Sequence, residues 1–271
     1  MVARQAQHPC AAKGRAERTV NILLSNDDGY ASPLLPFAVD ALQTLGGLTI
    51  VAPKEEQSGR GKALSCFQTL ELSSAPINGI QAHIVTGTPA DCVNIGIYHL
   101  CAPKPDLIVS GINMGINAGI GFVLASGTIG ACLEANLAGI PAVALSQFLE
   151  KEAFDAYIRG GGLPEGERAR LQQQTAELLR RVFQYLFADP KFLSRPITWN
   201  VNLPYVAADD CPLVPALNSR TTYGSWFKRS GDTFRHQVAD VKLDTRAEAD
   251  SSIVRRGHVS IAKLDLMDLA G

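Results

Sequence analysis

Short apolar segments alternate with amphipathic segments along the first half of the chain. Residues 20–24 form an apolar run that Gly29 and Pro33 follow, which favours a buried strand over a helix. Apolar residues then recur at helical spacing from position 34 to position 45. Further strands are predicted at residues 48–52, 82–85, 106–110, 142–146 and 198–203. This order of elements predicts an α/β fold with a doubly wound, mostly parallel sheet between two layers of helices.

The predicted helices have recognisable start and stop signals. Thr88 can act as the N-cap of a helix that has Pro89 at its first position and an aspartate in its first turn. We expect this helix to run to about Leu100. Two more helices are predicted at residues 128–138 and 165–187, and a Gly/Asn-rich loop at residues 111–121.

The two ends of the chain follow different patterns. Residues 1–19 are expected to be a disordered extension, with an organelle-targeting peptide as the alternative. Residues 20–271 are expected to form one domain, in which residues 205–257 are irregular and polar. That stretch is predicted to form a hairpin-bearing subdomain or an arm that contacts a partner. Residues 258–264 alternate as a half-exposed strand does.

Charge and cysteine usage exclude several classes of protein. The net charge of -1 provides no global field to recruit a nucleic-acid polymer or a membrane surface. The six cysteines contain no Cys-x-x-Cys pair, which is typical of a reducing cytoplasm and argues against disulfides or zinc. No apolar stretch approaches the ~20 residues that span a bilayer. We therefore expect a cytoplasmic protein that acts on a small molecule.

Two adjacent carboxylates, Asp27 and Asp28, follow the first predicted strand. Their repulsion at close range must be offset by positive charge, and a divalent cation is the simplest candidate. Oxygen ligands suit Mg²⁺ or Mn²⁺, and the sequence has no cluster of His and Glu or of Cys that would select zinc. The alternative is that one aspartate caps the following helix while the other is solvated.

Two later segments are predicted to lie at the same edge of the sheet. In residues 110–119 glycines alternate with asparagines, so backbone N–H groups can converge while amide oxygens remain available to a cation. An ordinary turn-rich loop is the alternative. Ser126-Gly127-Thr128 begins a predicted helix, whose free N–H groups suit a phosphate, although an N-cap that serves only the helix is equally common.

The order and spacing of these motifs resemble the SurE family of survival-protein phosphatases over about residues 20–271. The matching motifs are Ile22-Leu23-Leu24-Ser25-Asn26-Asp27-Asp28-Gly29, Val51-Ala52-Pro53, Gln57-Ser58-Gly59, Gly87-Thr88-Pro89-Ala90-Asp91-Cys92-Val93, Ser110-Gly111-Ile112-Asn113 and Ser126-Gly127-Thr128. Weaker matches lie at residues 200–204 and 257–261.

The resemblance implies a Rossmann-like fold and hydrolysis of nucleoside 5′- and 3′-monophosphates, and in some members of short polyphosphate. It implies one Mg²⁺ or Mn²⁺ ion per subunit, held by Asp27, Asp28, Ser58 and Asn113. Family members form dimers or tetramers that exchange a C-terminal hairpin, so a homodimer or homotetramer is expected. Residues 205–257 would then contain the hairpin that is exchanged between subunits.

The predicted reaction divides the site residues between two roles. Asp27, Asp28 and Asn113 are the predicted catalytic residues, and one of the aspartates is expected to accept the proton of the attacking water. The remaining residues are predicted to contact the phosphate, and they are Asn26, Gly59, Asn117, Ser126, Gly127 and Thr128.

The chain departs from the family's usual motifs at two places near the pocket. Ala31-Ser32-Pro33-Leu34 stands where Ala-Pro-Gly usually follows the acidic pair, so the first helix is expected to start differently. Ala125 stands where the family commonly has a tyrosine. This difference is expected to change the shape of the substrate pocket but not the metal chemistry.

Two other classes of protein also place carboxylates after a strand. Covalent phosphatases of the haloacid-dehalogenase type use an aspartyl nucleophile in an Asp-x-Asp motif, whereas Asp27 and Asp28 are adjacent. Receiver-like signalling modules bind metal through an acidic pair, but they need an aspartate and a lysine at strand ends where this chain has Ser110 and Ser146. The chain is also about twice the usual size of a receiver.

Overall fold

A nine-stranded mixed sheet forms the centre of the protein in the computed structural model, which describes residues 19–158, 162–163 and 165–269. The strands are β1 (Val20–Ser25), β2 (Gly46–Pro53), β3 (Leu72–Ile77), β4 (Ile80–Val85), β5 (Leu107–Met114), β6 (Ala142–Gln147), β7 (Thr198–Leu203), β8 (Leu213–Ala216), β9 (Phe227–Ser230), β10 (Thr233–His236) and β11 (Val259–Leu264). The order in the sheet is β3-β4-β2-β1-β5-β6-β7-β11-β8, and β9 and β10 pair as a separate hairpin.

The central strands are parallel and the edges are mixed. Strands β4, β2, β1, β5, β6 and β7 run parallel, whereas β3 is antiparallel to β4 and β11 is antiparallel to β7. The helices are α1 (Leu35–Leu42), α2 (Pro89–Ile95), α3 (Ile120–Ala125), α4 (Gly127–Leu137), α5 (Lys151–Ile158), α6 (Glu165–Phe187) and α7 (Asp250–Arg255). A π-helical turn at Gly96–Leu100 extends α2, and 3₁₀ turns occur at Phe192–Ser194 and Leu266–Leu269.

Alternate side chains of each central strand enter two separate hydrophobic cores. In β1, Ile22 and Leu24 pack into the core that α1 and α6 cover, whereas Leu23 packs into the core that α2 and α4 cover. All three side chains are buried. This confirms the prediction of an α/β fold with a mostly parallel sheet between two helical layers.

Several boundaries agree with the sequence prediction and others correct it. Thr88 caps α2 through a capping box with Asp91, and the predicted bounds of α6 and β7 are confirmed. The predicted loop at residues 111–121 is wrong in part, because β5 continues to Met114 through a bulge that follows Ser110. The prediction missed α3, which lies at the end of that segment.

The edges of the sheet were predicted least well. The exposed strand β3 was missed because its residues show no clear alternation. The strand predicted at residues 258–264 is confirmed as β11, but its predicted half-exposure is wrong, since its first four residues are buried between β7 and β8. The first helix, predicted from apolar spacing up to position 45, ends at Leu42, and Gly46 and Gly47 are the first two residues of β2.

The two predictions for the ends of the chain differ in whether the described residues include them. The extension predicted at residues 1–19 lies outside the described residues, apart from Thr19. The range 205–257 contains the predicted hairpin, which β9 and β10 form. Among the described residues, no helix is long and apolar enough to cross a membrane.

Candidate active site

The acidic pair lies beyond the carboxyl end of β1, beside the end of β5. Ser25 at the end of β1 is paired with Ser110 of β5 in parallel register. The bulge lets β5 continue past this point, and the backbone N–H of Met114 donates to Oδ2 of Asp28 at 3.0 Å. The fold therefore places Asp28 against the residue that follows Asn113 in β5, and the role of these two residues as metal ligands stays a prediction.

Asp27 joins β1 to two other segments of the site. The Thr128 hydroxyl donates to Oδ1 of Asp27 at 2.6 Å, and the backbone N–H of Gln57 donates to the Asp27 carbonyl at 2.7 Å. The first contact fixes the carboxylate against the start of α4, and the second fixes the loop that carries Ser58. The hydroxyl of Thr128, which is predicted to contact the phosphate, therefore has the Asp27 carboxylate as its partner in the structure.

The start of α4 packs closely on Asp27. The Ser126 hydroxyl caps the helix by accepting from the backbone N–H of Ile129 at 3.2 Å. A Cβ on Gly127 would lie 2.8 Å from the Asp27 Cβ, so only glycine permits this approach without a shift. The predicted helix start is confirmed, and the anionic group that its first turn contacts is the Asp27 carboxylate.

A buried polar clamp from β7 holds Asn117. Its backbone N–H donates to Oδ1 of Asn202 at 2.9 Å, and its carbonyl accepts from Nδ2 of Asn200 at 2.7 Å. Its side-chain amide donates to the Ser146 hydroxyl at 2.9 Å. In the sequence, the β7 motif is only a weak match to the family. Nothing in it indicates that Asn200 and Asn202 position Asn117.

The remaining predicted residues differ in exposure. Asn26 is fully buried, and its Nδ2 donates to the Gly29 carbonyl at 2.8 Å, which closes the turn after β1. Ser58 and Gly59 lie exposed in the loop after β2. The backbone N–H of Ser58 donates to the Glu56 carboxylate at 3.2 Å.

Both carboxylates carry an unfavourable electrostatic environment. Burial raises the pKa of Asp27, and burial together with the charge of Asp27 raises the pKa of Asp28 well above its ordinary value. Within the described part of the chain, no Lys, Arg or His pairs with either carboxylate. Lys62, which lies four residues after Ser58, pairs instead with Glu134 at 2.6 Å.

Tyr157 of α5 faces the acidic pair, and the sequence did not indicate it. Burial raises the pKa of this phenol to about 12, and the negative charges of Asp28, Glu56 and Asp27 add to the increase. The side chain is half-buried. Its helix follows β6 in a segment that matched no motif, so no sequence signal connected it with the site.

The donor set fits a hard divalent cation. The predicted ligands are two carboxylates, the hydroxyl of Ser58 and the amide of Asn113, all of which offer oxygen donors. No group of three or more His, Cys, Asp or Glu side chains that could hold a metal occurs among residues 19–158, 162–163 and 165–269. Asn26 Oδ1 and the hydroxyls of Ser25 and Ser110 are buried without a partner in that same part of the chain, so the surroundings are also rich in oxygen.

The raised pKa values predict a pH-dependent stabilisation by metal. The folded protein binds these protons more tightly than the unfolded chain, so without metal its stability falls as the pH rises from the ordinary carboxyl pKa through the raised values. A cation that binds the ionised pair offsets this loss. Mg²⁺ or Mn²⁺ should therefore raise the Tm more at neutral pH than at about pH 5, as measured by thermal unfolding. An equal increase at both pH values would contradict this expectation.

The fold and the site together define a doubly wound α/β protein with an acidic, oxygen-rich site beyond the carboxyl ends of its central strands. The family model described as "Survival protein SurE" matches residues 22–223. The chain therefore belongs to the SurE family.

Curated relatives and a solved structure agree with this assignment. The chain is 35% identical over 237 residues to the 5′-nucleotidase SurE of Methanocella arvoryzae, covering 87% of this chain and 83% of the relative. It is 34% identical over 253 residues to the 5′-nucleotidase SurE of Pelobacter propionicus, covering 91% and 94%. The crystal structure of the SurE protein from Aquifex aeolicus superposes with a TM-score of 0.69 at 25% identity, covering 91% of this chain and 93% of that one.

Proposed function

We propose that this protein is a metal-dependent phosphomonoesterase that hydrolyses nucleoside 5′- and 3′-monophosphates, and short polyphosphate as a further substrate. The observation that carries the proposal is the Asp27–Asp28 pair, of which Asp27 is buried and Asp28 is partly exposed. The pair has no basic partner among the described residues and lies between the start of α4 and the end of β5. The names of the relatives, which are 5′-nucleotidases, support the choice of a nucleotide as substrate.

Asp27, Asp28, Ser58 and Asn113 would hold one Mg²⁺ or Mn²⁺ ion. When bound, such an ion polarises a phosphoryl oxygen and lowers the pKa of a bound water. Thr128 and the Met114 N–H each fix one carboxylate, so the two side chains pay little entropy on binding and keep their separation.

Three residues of the site have roles in phosphate binding and proton transfer. Asp28 is partly exposed whereas Asp27 is buried, so Asp28 is the carboxylate that can accept the proton of an attacking water. The backbone N–H of Gly127, at the positive end of α4, and the clamped Asn117 amide can donate to phosphate oxygens. Such fixed donors stabilise the charge of the transition state.

A substrate panel tests the proposal. Phosphate release should be measured with nucleoside 5′- and 3′-monophosphates, glycerol phosphate and short polyphosphate, each with Mg²⁺, with Mn²⁺ and with a chelator. We expect release from nucleoside monophosphates that the chelator abolishes and that either metal restores. Release that persists in the chelator, or no release from any nucleotide, would refute the proposal.

A further inference from the structure

An arm from the second half of the chain lies against the candidate active site. We call residues 217–242 the arm. Its backbone carbonyls at Ser219 and Thr221 accept from the N–H groups of Ile120 and Gly121, at 2.9 and 3.2 Å. The buried carboxylate of Asp250 accepts from the N–H of Ser219 at 3.2 Å and so fixes the start of the arm. The arm is therefore attached to the segment that follows Asn117.

From this attachment the arm extends to the loop that carries Ser58. The ring of Tyr223 packs on Gly121, and its centroid lies 4.9 Å from that of Trp226 in an edge-on arrangement. The Trp226 ring in turn lies 3.5 Å from the position that a Cβ on Gly59 would occupy. Two aromatic rings thus connect the start of α3 with the loop that carries Ser58.

Trp226 is not explained by packing of the protein interior. Neither Trp226 nor Tyr223 belongs to the two hydrophobic cores, and both side chains are only half-buried. The indole N–H of Trp226 is itself buried and has no acceptor among the described residues. A buried donor of this kind is costly unless a ligand or a water accepts from it.

We propose that Trp226 forms the wall of a nucleobase subsite, against which the base of a nucleoside monophosphate stacks while its phosphate lies between Ser58 and the start of α4. This inference rests on the proposed function and specifies its substrate class. A base is separated from its phosphate by one ribose, and Trp226 lies beside Gly59, one residue from a predicted metal ligand. Aromatic stacking is tolerant of base identity, so the subsite selects nucleotides over phosphate esters that lack a base.

Steady-state kinetics of Trp226→Leu separates this role from a structural one. For a nucleoside 5′-monophosphate, KM should rise about tenfold with little change in kcat, because stacking is lost while the metal and phosphate contacts remain. For glycerol phosphate, both constants should stay unchanged. Trp226→Phe should recover most of the nucleotide affinity. Phe234→Leu is the matched control, since this ring lies 66% exposed on β10 and belongs to neither hydrophobic core.

A binding measurement tests the inference without catalysis. The chain has two tryptophans, and the other one, Trp199, lies in β7. In the presence of a chelator, a nucleoside monophosphate should quench the indole fluorescence of the natural protein in a saturable way, and Trp226→Leu should lose this response. Glycerol phosphate should produce no quenching in either protein.

Three results would overturn the inference. The first is an equal loss of activity towards nucleotides and glycerol phosphate in Trp226→Leu, which would show that the ring only supports the Ser58 loop. The second is unchanged kinetics with both substrates, and the third is the absence of saturable quenching. Failure of the proposed function looks different, because the natural protein would then release phosphate from neither substrate.

Discussion

Asp28→Asn is expected to lower kcat/KM for a nucleoside monophosphate by at least about a hundredfold, a loss typical of a damaged metal site or of a removed charge-stabilising group. The amide removes a negative charge from the proposed cation site and cannot accept a proton from water. The fold should persist, because the Asn oxygen can still accept from the Met114 N–H that now binds Oδ2 at 3.0 Å. Loss of the repulsion from Asp27 should even raise the Tm of the metal-free protein.

The measurement is metal-dependent phosphate release together with thermal unfolding, with and without Mg²⁺ or Mn²⁺. Asp232→Asn is the matched control, because this carboxylate is fully exposed in the hairpin turn and should change neither quantity. Near-normal turnover of Asp28→Asn at saturating metal would remove this residue from the mechanism. A metal-induced increase in Tm as large as that of the natural protein would argue against Asp28 as a ligand.

The parts of the fold that could be predicted are those in which local pattern and burial agree. β1 is followed by Gly29 and Pro33, α2 has a capping box at Thr88, and the bounds of α6 follow from a long helical repeat. The continuation of β5 after Ser110 could not be predicted. Its Gly/Asn-rich composition usually marks a loop, but here it belongs to a bulged strand. Its stability comes from β6, which is a tertiary contact.

In the candidate site, too, local patterns were predictable and tertiary contacts were not. The sequence predicted that Asp27, Asp28 and the start of α4 would come together, because carboxyl ends of parallel strands share one edge of the sheet. The sequence did not predict that the Thr128 hydroxyl donates to Asp27, and a phosphate contact of Thr128 stays a prediction. Contacts between side chains distant in sequence, such as the β7 asparagines on Asn117, depend on strand order, which no local pattern contains. Exchange of the hairpin between subunits stays a prediction, as do the metal ligands.

A close contact between two backbones determines where Ser58 lies. A Cβ on Gly130 of α4 would lie 2.1 Å from the carbonyl oxygen of Gly61 and 2.5 Å from its carbonyl carbon. The Gly61 N–H donates in turn to the carbonyl of Ala125 at 2.9 Å, so the loop is fixed against the helix from both sides. A backbone cannot rotate aside as a side chain can, and any substitution must move the loop or the helix.

Gly130→Ala should therefore destabilise the fold by about 1–3 kcal/mol, as overpacking does, despite the better helix propensity of alanine. It should also lower kcat/KM by about a hundredfold, because a shift of about 1 Å in the Ser58 loop misaligns the reacting groups. Gly166→Ala is the control, because a Cβ on this glycine of α6 would meet no described atom within 4 Å apart from its chain neighbours and the backbone of its own helix. The substitution should increase the free energy of unfolding by about 0.5–1 kcal/mol and leave activity unchanged.

Denaturant unfolding gives the free energy of each variant, and phosphate release with saturating Mg²⁺ or Mn²⁺ gives its activity. The two readouts separate two ways in which the chain can respond to the added methyl group. If the helix gives way, stability falls and α2, which packs on α4, loses its support. If the loop gives way, activity falls further than stability, because Ser58 moves while the cores stay intact. Natural stability and activity in Gly130→Ala would contradict both the close contact between Gly130 and Gly61 and its role in positioning the loop that carries Ser58.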